Sequence, residues 1–154
     1  MPTRTARTGW TGTLEAGEGQ VELTSSGLGT FDVSFPKRSA DSANGFTSPE
    51  ELLAAAHSAC YSMQLSAELA AAGDITIEAL DVSADVSLGA DPAGGFRLTG
   101  IHLTVRGEVT GMDSETFLAA ANAAKLNCPV SKALTGVDIT LDALLEELDE
   151  VLQA

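Results

Sequence analysis

The feature that most constrains the fold is Leu52–Ala67, a stretch of sixteen residues without a charged side chain. It includes serines, a histidine and a glutamine, and it is too short to cross the roughly 30 Å hydrocarbon core of a membrane. As a helix it is apolar on nearly every side, which is typical of a buried helix. In 154 residues, burial on every side requires two sheets or a second subunit.

The helix that contains this stretch has recognisable ends. Ser48 suits the N-cap, Pro49 suits the first helical position, and Glu51, three residues after Ser48, completes a capping box. Gly73 favours termination. We therefore predict a helix from Pro49 to about Ala72.

Alternation of polar and apolar residues predicts strands on both sides of this helix. The first 35 residues predict an antiparallel meander, which ends at Pro36. Thr76–Leu88 and Phe96–Val109 predict a hairpin that is closed by the turn Asp91–Gly95. Within each segment the apolar residues alternate with polar ones, as in a strand with one buried face, and the residues between the segments are typical of a turn.

The last third of the chain predicts two helices, one capped by Asp113 or Ser114 and one over Pro129–Leu134, followed by a strand over Val137–Leu141. The order βββ-α-ββ-α-α-β is that of an α+β domain. We predict a single domain over residues 1–141 and an acidic, amphipathic extension over residues 142–154.

The charge balance narrows the classes of function. Eight Lys and Arg residues stand against 22 Asp and Glu, for a net charge of −14, which disfavours binding to nucleic acid or to an anionic membrane. The N-terminus has no apolar signal segment, so we expect a cytoplasmic protein. In that compartment the two cysteines point to catalysis, metal binding or packing rather than to a permanent structural disulfide.

Each cysteine has a structural and a chemical interpretation. Cys60 lies about three turns into the buried helix, where a thiol is usually a small core residue with a raised pKa. If Cys60 is reactive, a cation must reach it from elsewhere in the chain. Cys128 precedes Pro129 at a helix start, which either favours a thiolate or makes it a neutral N-cap. The spacing alone does not show whether the two thiols meet.

Glu50, Arg38 and His57 are the other candidates. Glu50 is either a solvated acid of the first turn or an anion that holds a cation, and Arg38 in the preceding loop can present two N–H groups to it. His57 lies three residues before Cys60, which is half of a metal site, but too few further ligands are available for zinc. A Cys–His hydrolase would need its two groups to face each other across a cleft. A structural, hydrogen-bonded His57 is therefore the preferred interpretation.

Two segments together resemble a known family. Thr47–Met63, with the sequence TSPEELLAAAHSACYSM, resembles the signature helix of the OsmC/Ohr family of thiol-dependent hydroperoxide reductases, and Asn127–Leu134 resembles that family's second cysteine motif. The resemblance covers about residues 5–142. His57 favours the OsmC branch.

The resemblance implies an intertwined homodimer in which antiparallel sheets pack around a long buried helix. It makes Cys60 the peroxidatic thiol and Cys128 the resolving thiol, with Arg38 activating Cys60 and Glu50 holding Arg38. It implies reduction of hydroperoxides through a Cys60 sulfenate and a disulfide. A wall of Leu, Met and Phe side chains near Cys60 would favour organic hydroperoxides, with hydrogen peroxide reduced more weakly. A dithiol reductant, typically a lipoyl-bearing protein, would recycle the enzyme, and no metal or other cofactor is required.

Two alternatives stay open at this point. The chain is also compatible with a stress-associated binding protein that has the same fold and little peroxidase activity. It is further compatible with a purely structural domain whose cysteines fill the core.

Overall fold

A computed structural model describes residues 1–147, in which the chain forms two compact units. The first unit ends at Leu52 and the second begins at Leu53. The elements in chain order are β1 (Arg7–Thr11), β2 (Glu18–Glu22), β3 (Thr30–Val33), α1 (Phe35–Arg38), α2 (Pro49–Ala72), β4 (Thr76–Ala90), β5 (Phe96–Thr110), α3 (Ser114–Asn127), α4 (Pro129–Ala133) and β6 (Ile139–Leu145).

The first unit contains the predicted antiparallel meander, with β2 between β1 and β3. Val21 is opposite Thr8 on one side and Phe31 on the other. Because side chains alternate along a strand, these residues share one face and the charged residues of the strands lie on the other. The loop predicted after the meander begins with the short helix α1, which Ser34 caps by accepting the Lys37 N–H.

Helix α2 has the predicted ends, Pro49 and Ala72. The Ser48 hydroxyl accepts the Glu51 N–H, which is one half of the predicted capping box. The Glu51 carboxylate accepts a hydrogen bond from the Thr47 hydroxyl. A neighbouring side chain, which was not predicted as a partner, therefore holds the Glu51 carboxylate.

The second unit contains a three-stranded sheet with β5 in the middle. Strands β4 and β5 form the predicted hairpin, and the Asp91 N–H donates to the Gly95 carbonyl across its turn. Strand β6 is parallel to β5, so the expectation of antiparallel sheets does not hold for this pair. The chain crosses through α3 and α4 between the two strands, and such a crossover returns a strand in the parallel direction.

The last strand is longer than predicted. It runs from Ile139 to Leu145, so residues 142–145 of the predicted extension belong to the sheet. Residues 148–154 of that extension lie outside the described part of the chain.

One face of α2 packs into the core of the second unit. Tyr61, Leu65 and Leu69 are fully buried there against residues of β5 and α3. The opposite face of α2 is exposed although it is apolar: Ala55, Ala56, Ala59, Met63, Ala67 and Ala70 lie on it. Residues 1–147 of a single chain therefore do not provide the predicted burial on every side. No helix within residues 1–147 is both long and apolar enough to cross a membrane.

Candidate active site

The two cysteines meet in the second unit, between α2 and α4. The Cys60 and Cys128 sulfur atoms are 3.2 Å apart, and both thiols are reduced. Cys128 is completely buried, whereas Cys60 is partly exposed. A disulfide needs about 2.05 Å between its sulfurs, so an approach of about 1 Å would join them. The pair is placed for reversible oxidation.

The surroundings of Cys60 oppose its ionisation. Burial raises the pKa of the Cys60 thiol, and the neighbouring Cys128 sulfur raises it further. The backbone N–H of Val130, in the first turn of α4, donates to the Cys60 sulfur and acts in the opposite direction. The net effect favours the protonated thiol, so activation of Cys60 requires a positive charge in addition to these contacts.

A second pair of side chains joins the same two helices. His57 Nε2 and Ser131 Oγ are 2.7 Å apart, and both residues are buried. Burial lowers the pKa of His57, which keeps the imidazole neutral. The preferred interpretation of His57 as a structural, hydrogen-bonded residue agrees with this contact.

Arg38 and Glu50 form an ion pair in the first unit. Arg38 Nη2 lies 2.6 Å from Glu50 Oε1, and its Nε donates to both carboxylate oxygens at 3.1 Å. Burial is the largest influence on the pKa of Glu50 and raises it, but the hydrogen bonds and charge of Arg38, together with backbone and Ser48 hydrogen bonds, hold that pKa below its usual value. The carboxylate therefore stays ionised and fixes the guanidinium plane.

Arg38 lies beside an apolar groove of about 410 Å³ on the uncharged face of the meander. Its wall includes Trp10, Leu14, Phe35 and Leu52. The opposite face carries charged residues, with Arg7 paired to Glu22. Only the apolar face thus offers a surface for a hydrocarbon group near a cation.

The structure brings the four predicted residues together as two pairs, Cys60 with Cys128 and Arg38 with Glu50. Within residues 1–147 no group of three or more His, Cys, Asp or Glu side chains is arranged to hold a metal ion. Ser131 was not among the predicted residues. Its position three residues after Cys128 mirrors that of His57 three residues before Cys60, but this spacing does not show that the two side chains meet.

Comparisons with known proteins show the family of this chain. Residues 41–142 match the model of the OsmC-like protein family, a range that includes Glu50 and both cysteines but begins after Arg38. The chain is 42% identical to peroxiredoxin OsmC of Escherichia coli strain K12 over 137 residues, which cover 89% of this chain and 92% of that protein.

Solved structures show the same fold. The organic hydroperoxide resistance protein OhrB of Bacillus subtilis aligns with a TM-score of 0.67 and 29% identity, over 91% of this chain and 98% of that one. An organic hydroperoxide resistance protein of Elizabethkingia anophelis aligns with a TM-score of 0.74 and 27% identity, over 94% and 99% of the two chains. The predicted α+β fold and the predicted family are both confirmed, and the chain belongs to the OsmC family, alongside the Ohr proteins.

Proposed function

We propose that this protein reduces organic hydroperoxides, with Cys60 as the peroxidatic thiol and Cys128 as the resolving thiol. The names of its relatives support the class, a hydroperoxide reductase. The observation that carries the assignment is the 3.2 Å sulfur contact between thiols of unequal exposure. A peroxide can reach the partly exposed sulfur of Cys60 first, while Cys128 is completely buried.

In the first step the Cys60 thiolate attacks the distal peroxide oxygen. The O–O bond breaks, the alkoxide takes a proton and leaves as an alcohol, and the sulfur becomes a sulfenic acid. In the second step the Cys128 sulfur attacks the Cys60 sulfur, a disulfide forms, and the sulfenic oxygen leaves as water. An external dithiol then reduces the disulfide, for which we propose a lipoyl group on a protein.

The activation of Cys60 is assigned to Arg38, with Glu50 as its anchor. The bidentate ion pair supports the second part of this assignment, because Glu50 fixes two guanidinium nitrogens and leaves one. The raised pKa of Cys60 supports the first part, because a thiolate at neutral pH requires a nearby positive charge.

The apolar groove beside Arg38 supports a preference for organic hydroperoxides over hydrogen peroxide. A hydrocarbon group gains free energy when apolar walls remove it from water, and hydrogen peroxide has no such group. The wall residues Trp10 and Leu14 are themselves partly exposed, so the groove is open to ligands.

We also propose that the protein acts as a homodimer in the cytoplasm. The exposed apolar face of α2, on which Met63 is 74% exposed, supports a second subunit, because monomeric proteins rarely expose large apolar patches. The alanines of that face allow close approach of another helix. The use of the two cysteines as a reactive pair rather than as a permanent structural disulfide supports the cytoplasm, where thiols are kept reduced.

A second candidate is a stress-associated binding protein with little peroxidase activity, which the raised pKa of Cys60 favours. Stopped-flow consumption of cumene hydroperoxide with dihydrolipoamide separates the two candidates. We expect turnover by the wild type and none by Cys60→Ser. Absence of turnover in the folded wild type would leave the binding protein as the remaining function.

A further inference from the structure

Two side-chain contacts join helix α2 to the segment that contains Cys128 and α4. One is the Cys60–Cys128 sulfur contact, and the other is the hydrogen bond between His57 and Ser131. His57 is three residues before Cys60 and Ser131 is three residues after Cys128, so on each side the two contacts are about one turn apart. Only the first contact changes its bonding when the thiols are oxidised.

The His57–Ser131 contact stabilises the core less than two apolar side chains would. Nδ1 of His57 is buried and has no hydrogen-bond partner among residues 1–147. A buried polar atom without a partner destabilises the folded protein, and two apolar side chains of the same shape would avoid that cost. Packing alone therefore does not account for a histidine and a serine at these positions.

The second step of the proposed reaction requires Cys128 to stay close to the oxidised Cys60, and the His57–Ser131 contact supports this. The Cys60 sulfenic acid is consumed either by Cys128 or by a second peroxide, which converts it to a sulfinic acid. Cys128 begins α4, and its sulfur must move about 1 Å toward Cys60 to form a disulfide. A fixed hydrogen bond one turn away keeps α4 within reach of α2 while the sulfur moves.

We propose that His57 and Ser131 are positioning residues for the resolving step, which hold Cys128 next to the oxidised Cys60. This inference rests on the proposed function. It assigns the pair no proton transfer and no contact with the peroxide.

The test compares Ser131→Ala with the wild type, the conservative variant Ser131→Thr and the control Thr140→Val. Thr140 pairs with His102 at the same 2.7 Å, on strands β6 and β5, so its removal deletes the same kind of bond away from the thiols. Each reduced protein receives an excess of cumene hydroperoxide and no reductant, so that an unresolved Cys60 sulfenic acid can react with a second peroxide. Stopped-flow measurement gives the rate of peroxide consumption, and mass spectrometry gives the ratio of disulfide to Cys60 sulfinic acid.

We expect Ser131→Ala to form sulfinic acid about fivefold to tenfold more often than the wild type for each peroxide consumed in the first step. That factor corresponds to the loss of one buried hydrogen bond. Ser131→Thr, which keeps the hydroxyl, should restore resolution in large part, and Thr140→Val should match the wild type. Equal sulfinic fractions in Ser131→Ala and the wild type would overturn the proposal.

A second arm does not depend on peroxide chemistry. Ellman's reagent converts Cys60 to a mixed disulfide and releases one coloured thiolate; attack by Cys128 then forms the protein disulfide and releases the second. Ser131→Ala and His57→Gln should slow the second release, measured relative to the first, by about fivefold. If the wild type consumes no peroxide, the proposed function fails, but this arm still tests the positioning role. That role is refuted if the second thiolate is released at the same rate in the wild type, Ser131→Ala and His57→Gln.

Discussion

The sulfur of Cys60 accepts a backbone hydrogen bond from Val130, two residues beyond Cys128 in the chain. One short segment, at the junction of α3 and α4, thus supplies both the partner thiol at 3.2 Å and a donor N–H. In the proposed mechanism, the segment that stabilises a negative charge on Cys60 is also the segment that resolves the oxidised sulfur. This arrangement couples the first step to the second and leads to distinct expectations for the two cysteines.

Replacement of Cys128 by Ser should separate the two steps. Because Cys60 and its Val130 contact remain, the variant should consume one equivalent of peroxide at close to the wild-type rate. It has no thiol to form the internal disulfide, so excess peroxide should carry Cys60 on to the sulfinic acid.

Thiol titration and mass spectrometry after one equivalent of peroxide measure this outcome. The wild type should lose both thiols, and Cys60→Ser should keep its remaining thiol. One titratable thiol left in the treated wild type would remove Cys128 from the mechanism, because only Cys60 would then have been oxidised.

Arg38→Ala should slow the reaction of Cys60 at neutral pH by about tenfold or more. Each unit by which the thiol pKa rises removes about tenfold of the thiolate. The variant also leaves the partly buried Glu50 carboxylate without its ion-pair partner.

Lys37→Ala is the matched control, because it removes the same charge one residue away and leaves the Arg38–Glu50 pair intact. Lys37 lies over the Phe46 ring, 6.0 Å from its centre. The measurement is the second-order rate of Cys60 with cumene hydroperoxide as a function of pH. Equal losses in the two variants would indicate a general charge effect and would contradict the role of Arg38.

Local signals in the sequence were sufficient for much of this structure. The ends of α2 follow from Ser48, Pro49 and Gly73, and the hairpin follows from Asp91–Gly95, because caps and tight turns are specified by residues near each other in the chain. The Arg38–Glu50 pair was also predicted, with the resemblance assigning each residue its role.

The rest depends on contacts that periodicity does not encode. Ser131 lies 74 residues from His57, and nothing in either helix alone indicates that they meet. Strand β6 was predicted to end at Leu141 because the residues after it were interpreted as an acidic, amphipathic extension. The alternation Ile139, Leu141, Ala143, Leu145 was the correct signal, and pairing with β5 selects it.

The buried His57 should make the folded protein sensitive to mild acid. Its pKa is lowered by burial, so between its folded value and about 6.5 the unfolded chain binds a proton that the folded chain does not. Stability is therefore fully present above about pH 6.5 and falls as the pH drops below it, by up to about 1.4 kcal/mol per pH unit.

Urea unfolding gives the free energy of unfolding of the wild type and of His57→Gln from pH 7.5 down to about pH 5. The difference between the two values isolates His57, because both proteins contain the same carboxylates. The wild type should lose stability relative to His57→Gln as the pH falls. His102→Gln, which replaces an exposed histidine, should follow the wild type. A constant difference between wild type and His57→Gln across the range would contradict the neutral, buried imidazole.

Gly107→Ala should destabilise the protein because β5 has no room for a methyl group at this position. A Cβ atom there would lie 2.6 Å from two carbons of the Phe117 ring and 3.3 Å from Leu80. Phe117 is fully buried in the core, so its ring can give way only by displacing other core residues. Overpacking of this kind costs about 1–3 kcal/mol.

Gly100→Ala is the control on the same strand, since its Cβ would meet only the Asp138 carbonyl oxygen, at 3.9 Å. Alanine is favoured over glycine in a strand, so this variant should unfold at the wild-type urea concentration or slightly above it. Gly107→Ala should unfold at a clearly lower concentration. Equal midpoints for the two variants would mean that Phe117 adjusts at little cost, and the close contact between this ring and β5 would then not limit the packing of the core around the thiol pair.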